Sequence, residues 1–91
     1  MGSTVRDNTA GRRFELERNG HLAFANYERR DSTLVIRHVE AALPLRGTGA
    51  ASELMQGVAE IARAEGCKIT PLCGYAYTWL RRHKEYHDLL N

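Results

Sequence analysis

The chain has 91 residues and a mass of 10.3 kDa, with 43% hydrophobic and 26% charged side chains. That leaves room for one domain with one cleft, and excludes a two-domain enzyme, a disordered chain or a collagen-like fibre. Thirteen Lys+Arg against eleven Asp+Glu give a net charge of +2, too little to attract nucleic acid by itself.

Residues 1 to 12 show no periodicity and read as a disordered tail, so a single domain is expected over residues 13 to 91. The polar N-terminus lacks the apolar run of a signal peptide, and no window approaches the ~18 apolar residues of a membrane span. The only cysteines, Cys67 and Cys73, have no His or Cys partner at a metal-ligand interval. Neither a metal site nor a disulfide scaffold is expected, and the natural setting is a cytoplasm with reduced thiols.

Alternation begins at Phe14 and Leu16 and resumes, past Asn19-Gly20, at Leu22 and Phe24. Asn-Gly between alternating runs marks a hairpin, because both residues accept the positive φ of a type I′ turn. Residues 13 to 18 and 21 to 28 should therefore pair antiparallel. A polar turn at 29 to 32 leads into residues 33 to 39, rich in β-branched side chains and suited to a third strand of the meander.

Between about Thr48 and Glu65 the period becomes helical, with Leu54, Val58, Ile61 and Ala62 on one side and Gly66 at the place of a left-handed stop. Residues 67 to 72 then read as a short strand. A strand, helix, strand succession implies a right-handed crossover, which sets this strand parallel to 33 to 39. Tyr75 to His83 has helical spacing, and 84 to 91 adds one or two further turns. The expected fold is α+β: a mixed sheet made of an antiparallel three-strand meander and one parallel strand reached by a helical crossover.

Chemistry concentrates at the junction Leu43-Pro44-Leu45-Arg46-Gly47-Thr48-Gly49-Ala50-Ala51-Ser52. Small residues open a long helix, whose first amides have no intrahelical partners and attract anions. No carboxylate lies between Glu40 and Glu53, so the positive helix end is not neutralised by its own sequence. The other reading of these glycines is only a tight turn and a close helix-sheet contact. A Walker loop would need Gly-Lys-Ser/Thr, and a dinucleotide fold would need Gly at position 52 and a preceding parallel sheet. What remains is Arg-x-x-Gly-x-Ala, Arg46 to Ala51, following an antiparallel meander.

Other residues fall around that junction. Pro71 has no amide proton, so the parallel strands should part near it, unless it merely ends an edge strand. Cys73, next to Gly74 at the start of a helix, sits where a thiolate is stabilised and is a candidate nucleophile; the bland alternative is a small buried hydrophobe. His38 and Glu40 are two apart on one strand and should share the face of Leu34 and Ile36, where either could serve as a base. Tyr75 and Tyr77 are candidate proton donors or packing groups. The basic run Arg81-Arg82-His83-Lys84 would meet a phosphate, or simply complement the end of its own helix.

The loop resembles the pyrophosphate loop of the GNAT N-acetyltransferase superfamily, Gln/Arg-x-x-Gly-x-Gly/Ala. From about Phe14 to Leu90 the chain is similar to a small single-domain subgroup of that superfamily. The matching features are Asn19-Gly20-His21-Leu22-Ala23, His38-Val39-Glu40, Pro44 to Ala51, Pro71-Leu72-Cys73 and Arg82-His83-Lys84-Glu85-Tyr86. The resemblance implies acetyl-CoA as cofactor and an amine-bearing acceptor, either small molecule or protein. Its pyrophosphate would lie on the Arg46 to Ser52 loop (Gly47, Thr48, Gly49, Ala50 and Ala51 between them), and its pantetheine arm along the backbone of Val39, Glu40 and Ala41. Cys73 would carry acetyl in a covalent route. The chain lacks the two helices that cover the acceptor site in larger members, so a CoA-binding module with little catalysis is the alternative, and an adaptor that uses the basic run is a third reading.

Overall fold

In the computed structural model, which describes residues 5–91, the chain runs through β1 (Arg6–Asn8), β2 (Arg13–Arg18), β3 (His21–Arg30), β4 (Thr33–Ala41), α1 (Ala50–Glu65), β5 (Lys68–Pro71) and α2 (Gly74–Arg82). The sheet order is β1-β2-β3-β4-β5. The first three junctions are antiparallel, and β5 joins β4 in parallel with Thr33 opposite Lys68 and Ile36 opposite Pro71. The α+β mixed sheet with a helical crossover is thus present, with one antiparallel strand more than the sequence reading held.

That extra strand corrects the reading of residues 1 to 12 as a tail. Residues 1 to 4 lie outside the described residues, but Arg6–Asn8 pairs with Glu15, Phe14 and Arg13 of β2. Three residues are too few to show a period of two, and what holds β1 is its side chains. Arg6 and Asn8 donate to the Glu15 carboxylate at 2.9 Å each, and Tyr27 Oη donates to Asp7. Arg29 ties Asp7 (2.8 Å) to Glu65 at the end of α1 (2.7 Å).

The hairpin forms as its turn residues require: Asn19 and Gly20 have φ of 51° and 78°. Residues opposite one another share a face. Phe14 and Leu16 (β2), Ala23, Ala25 and Tyr27 (β3), Leu34 and Ile36 (β4) and Ile69 (β5) are all buried on one side. Against them α1 lays Ala50, Leu54, Met55, Val58, Ala59 and Ala62, and α2 adds Ala76, Trp79 and Leu80. Ile61, read as part of the buried stripe, is only half-buried.

Gly66, with φ of 72°, ends α1, and the Cys67 amide donates back to Ala62 O at 2.8 Å. Beyond α2 the chain makes a 3-10 turn over Lys84–Leu89 rather than α-helix. It ends with Leu90 bridged to Ile69 and the Asn91 amide on Ile69 O at 2.9 Å. β5 is the last strand of the sheet, so Pro71 lies on an edge strand, which this tail covers at Ile69.

The opposite face of the sheet bears no helix and is polar. Its one buried charge among the described residues, Glu15, accepts hydrogen bonds from Asn8, Arg13 and Arg6, which hold its carboxyl down at about 2 against the cost of burial. A carboxylate whose folded pKa is depressed stabilises the fold above its unfolded value of 4.5, and that contribution is lost as pH falls towards 2. Glu15→Gln is therefore expected to cost about 2 kcal/mol at neutral pH. Urea unfolding at pH 7 and at pH 2.5 should show the cost shrink at the acid end. An equal cost at both values would mean the carboxylate charge is not what the arginines hold.

Candidate active site

The parallel ladder is short because β5 stops while β4 continues. The last pair is Ile36 opposite Pro71, with the Leu72 amide on Ile36 O at 2.9 Å. Beyond it Arg37 to Ala41 has no strand on that side among the described residues. The sheet is forked at the carboxyl ends of its parallel pair, the usual ligand entry in such sheets.

Which groups face the fork follows from the alternation of the antiparallel ladder. Ala42 N donates to Leu22 O at 3.0 Å, so the peptides of Glu40 and His38 turn toward β3 and those of Val39 and Ala41 turn toward the fork. Arg46 corroborates this, since its Nε donates to Ala41 O at 3.2 Å. Of the three backbone positions expected to meet a pantetheine arm, Val39 and Ala41 present theirs to the fork and Glu40 does not.

After β4 a 3-10 turn at Leu43–Leu45 leads into the glycine loop. Gly47 and Gly49 have φ of 79° and 87°, and a Cβ at either would meet nothing within 4 Å. The glycines are needed for backbone conformation, and no neighbouring chain crowds them. Thr48 spends its amide and hydroxyl on Leu45 O, at 3.2 and 2.5 Å.

The first bond of α1 runs from Glu53 N to Gly49 O at 3.0 Å, and no side chain caps the helix. The amides of Gly47, Gly49, Ala50, Ala51 and Ser52 thus donate to nothing among the described residues. Glu53 is the first-turn carboxylate, but it pairs with Arg18 of β2. The helix start is bare, exposed at the loop and positively polarised, and it fits a diphosphate. The Ser52 hydroxyl points the other way, accepting from Trp79 Nε1 at 2.8 Å. Sequence reasoning missed that link; the need of a buried indole N–H for an acceptor was its signal.

Cys73 is the N-cap of α2, half-buried against the core, just past the fork. Cys67 precedes β5 rather than lying within it and is also a free, half-buried thiol. Leu43, Leu72, Tyr75 and Tyr77 are the exposed large apolar side chains among the described residues, and they follow the ends of β4 and β5. Partial desolvation raises the Tyr75 phenol above its ordinary pKa. Tyr77 Oη accepts from Arg81 at 2.8 Å. In the basic run, His83 stacks on Trp79 with centroids 3.8 Å apart, while Arg82 and Lys84 are exposed.

Contrary to the alternation, His38 and Glu40 do not share the face of Leu34 and Ile36. Asn26 pairs with His38 and Tyr27 with Ile36, so Arg37 is an extra residue in β4. This bulge shifts the phase by one, and His38 and Glu40 emerge on the helix-free face with Phe24 and Asn26. The imidazole Nε2 lies 3.0 Å from Glu40 Oε1, and both side chains are about half-exposed. The two candidate bases therefore form one pair on the outer face, beside the fork.

A meander, a crossover helix with a bare glycine-led start and a forked parallel pair define a fold of the acetyltransferase kind. The family model described as GCN5-related N-acetyltransferase matches residues 13–89, and the chain belongs to that family. Among solved structures it is similar to a GCN5-like protein of Staphylococcus aureus determined by NMR. The two share 25% identity and a TM-score of 0.69, over 100% of this chain and 91% of that one. No curated protein matches the sequence. No helix among the described residues is long and apolar enough to cross a membrane.

Proposed function

We propose that this member of the family transfers acetyl from acetyl-CoA to an amine. The observation that carries the reading is the set of unpartnered amides of Gly47, Gly49, Ala50, Ala51 and Ser52, placed after a strand whose Val39 and Ala41 peptides face an open fork. In this reading the diphosphate lies on the loop, with Arg46 beside it. The pantetheine arm pairs with Val39 and Ala41 where β5 has ended, which brings the thioester toward Cys73. A cytoplasmic setting accords with both thiols being free. An amide chemical-shift titration with acetyl-CoA tests the site: Gly47, Thr48, Gly49 and Ala50 should move first, and shifts confined elsewhere would refute it.

Two routes deliver the acetyl group. In the direct one the amine attacks the thioester carbonyl, the His38–Glu40 pair takes the amine proton, and CoA leaves as its thiolate. In the covalent one the Cys73 sulfur attacks first, CoA thiol departs with the proton, and the amine then displaces the cysteine sulfur. The position of Cys73 at a helix start beside the fork favours the covalent route. Cys73→Ala should then lower turnover by about two orders of magnitude or more with little change in acetyl-CoA affinity. Unchanged turnover would leave the direct route.

A further inference from the structure

Outside the fork, a large feature without a role is on the helix-free face of the sheet. Two hollows open there, of about 460 and 380 Å3, and Arg37 lines both. The first lies across β2 and β3, walled by Asn8, Arg12, Arg13, Asn26 and Glu28 as well as Arg37. The second follows β4 and β5, with Arg30, Thr33 and Thr70 around Val35 and Leu72. Leu72 comes directly after the last rung of the ladder, so the second hollow runs up to the fork.

The charge in these hollows is unbalanced. With Arg13 held by Glu15 at 2.6 Å, Arg12, Arg30 and Arg37 line them against Glu28 and Asp31, three cations to two carboxylates. Glu28 takes Arg30 at 3.0 Å and Arg37 through Nη1 at 2.6 Å, which orients both forks and leaves donors of Arg37 uncommitted. Arg12 enters no ion pair among the described residues. Beside Arg37, the amide of Asn26 faces the same hollow, and its cross-strand partner is His38. The extra residue in β4 is what brings Arg37, His38 and Glu40 together on this side.

We infer that this face is the acceptor site, and that it takes a small primary amine whose far end carries a carboxylate or a phosphate. The anion rests between Arg37 and Arg12, and the amine extends past Val35 and Leu72 toward the fork, with the His38–Glu40 pair alongside to accept its proton. The acceptor role rests on the acetyl-transfer reading above, whereas the anion preference rests on the arginines alone.

The test is an amide-shift titration of the whole chain, with CoA present, using O-phosphoethanolamine, γ-aminobutyrate and neutral-tailed ethanolamine as probes. The anionic amines should give saturable shifts at Asn26, Val35 and Arg37, and ethanolamine none. A tighter response to O-phosphoethanolamine would mark the anion as phosphate, and a tighter response to γ-aminobutyrate as carboxylate. Arg37→Gln and Arg12→Gln should each weaken binding about tenfold, with the glycine-loop shifts on adding CoA serving as the check that the variants are folded. An equal response to ethanolamine, no saturable shift, or unchanged affinity in both variants would overturn the assignment. Loop shifts without an outer-face response would remove the acceptor site and leave the cofactor site standing. Outer-face binding without loop shifts would remove the acceptor role together with the cofactor site.

Discussion

An Ala51→Asp variant is expected to be slightly more stable than the wild type and to bind acetyl-CoA at least about tenfold more weakly. Ala51 is in the first turn of α1, half-buried, and its amide is among those with no acceptor. A carboxylate there meets the positive end of the helix and contributes about 0.5 kcal/mol to folding. The same charge competes with an incoming diphosphate for the same amides, at a cost of about 1.4 kcal/mol or more, which is the tenfold. The opposite signs are what make the test specific, because a variant that merely damages the loop would lose on both counts. Thermal melting and titration calorimetry on one sample read the two effects, and an unchanged affinity would mean that the helix start does not hold the phosphates.

Trp79→Ala should be the most destabilising of the changes considered, by about 3–5 kcal/mol. The indole is 5% exposed. It stacks on His83 and Tyr86 with centroids 3.8 and 5.6 Å apart and donates to Ser52 Oγ at 2.8 Å. One side chain thereby joins α2 and the closing 3-10 turn to the first turn of α1. Trp79→Phe keeps most of the packing and loses the hydrogen bond, so it should cost only about 1 kcal/mol. It should still perturb the amide signals of Ala51 and Ser52, since the anchor of that turn has gone. Denaturant unfolding gives the two costs, and undisturbed loop signals in Trp79→Phe would show that Trp79 holds the core but not the site.

Both variants act on a loop that is visible in the sequence, and the reason is that its properties are local. Gly47 and Gly49 demand their conformation residue by residue, the lack of a carboxylate between Glu40 and Glu53 is a matter of spelling, and Gly66 stops the helix wherever its neighbours fold. The Asn19-Gly20 turn and the parallel placing of β5 belong with them, because a short turn and a helical crossover leave the chain few alternatives.

Other features depend on partners distant in the chain, and only the folded molecule decided them. β1 exists because Glu15, Tyr27 and Arg29 wait for Arg6, Asp7 and Asn8, a match that a run of three residues cannot announce. The phase of His38 and Glu40 was set by the bulge at Arg37, where the eight residues Ala23–Arg30 of β3 and the nine of β4 must close one ladder. Period-two alternation holds only until such an extra residue, and each side chain beyond it changes face. The sequence by itself therefore determined the backbone of the glycine-led helix start, whereas tertiary pairing decided which side of the sheet carries the arginines and the His38–Glu40 pair. Backbone conformation answers to neighbours along the chain, but the direction of a side chain on a sheet answers to the strand beside it.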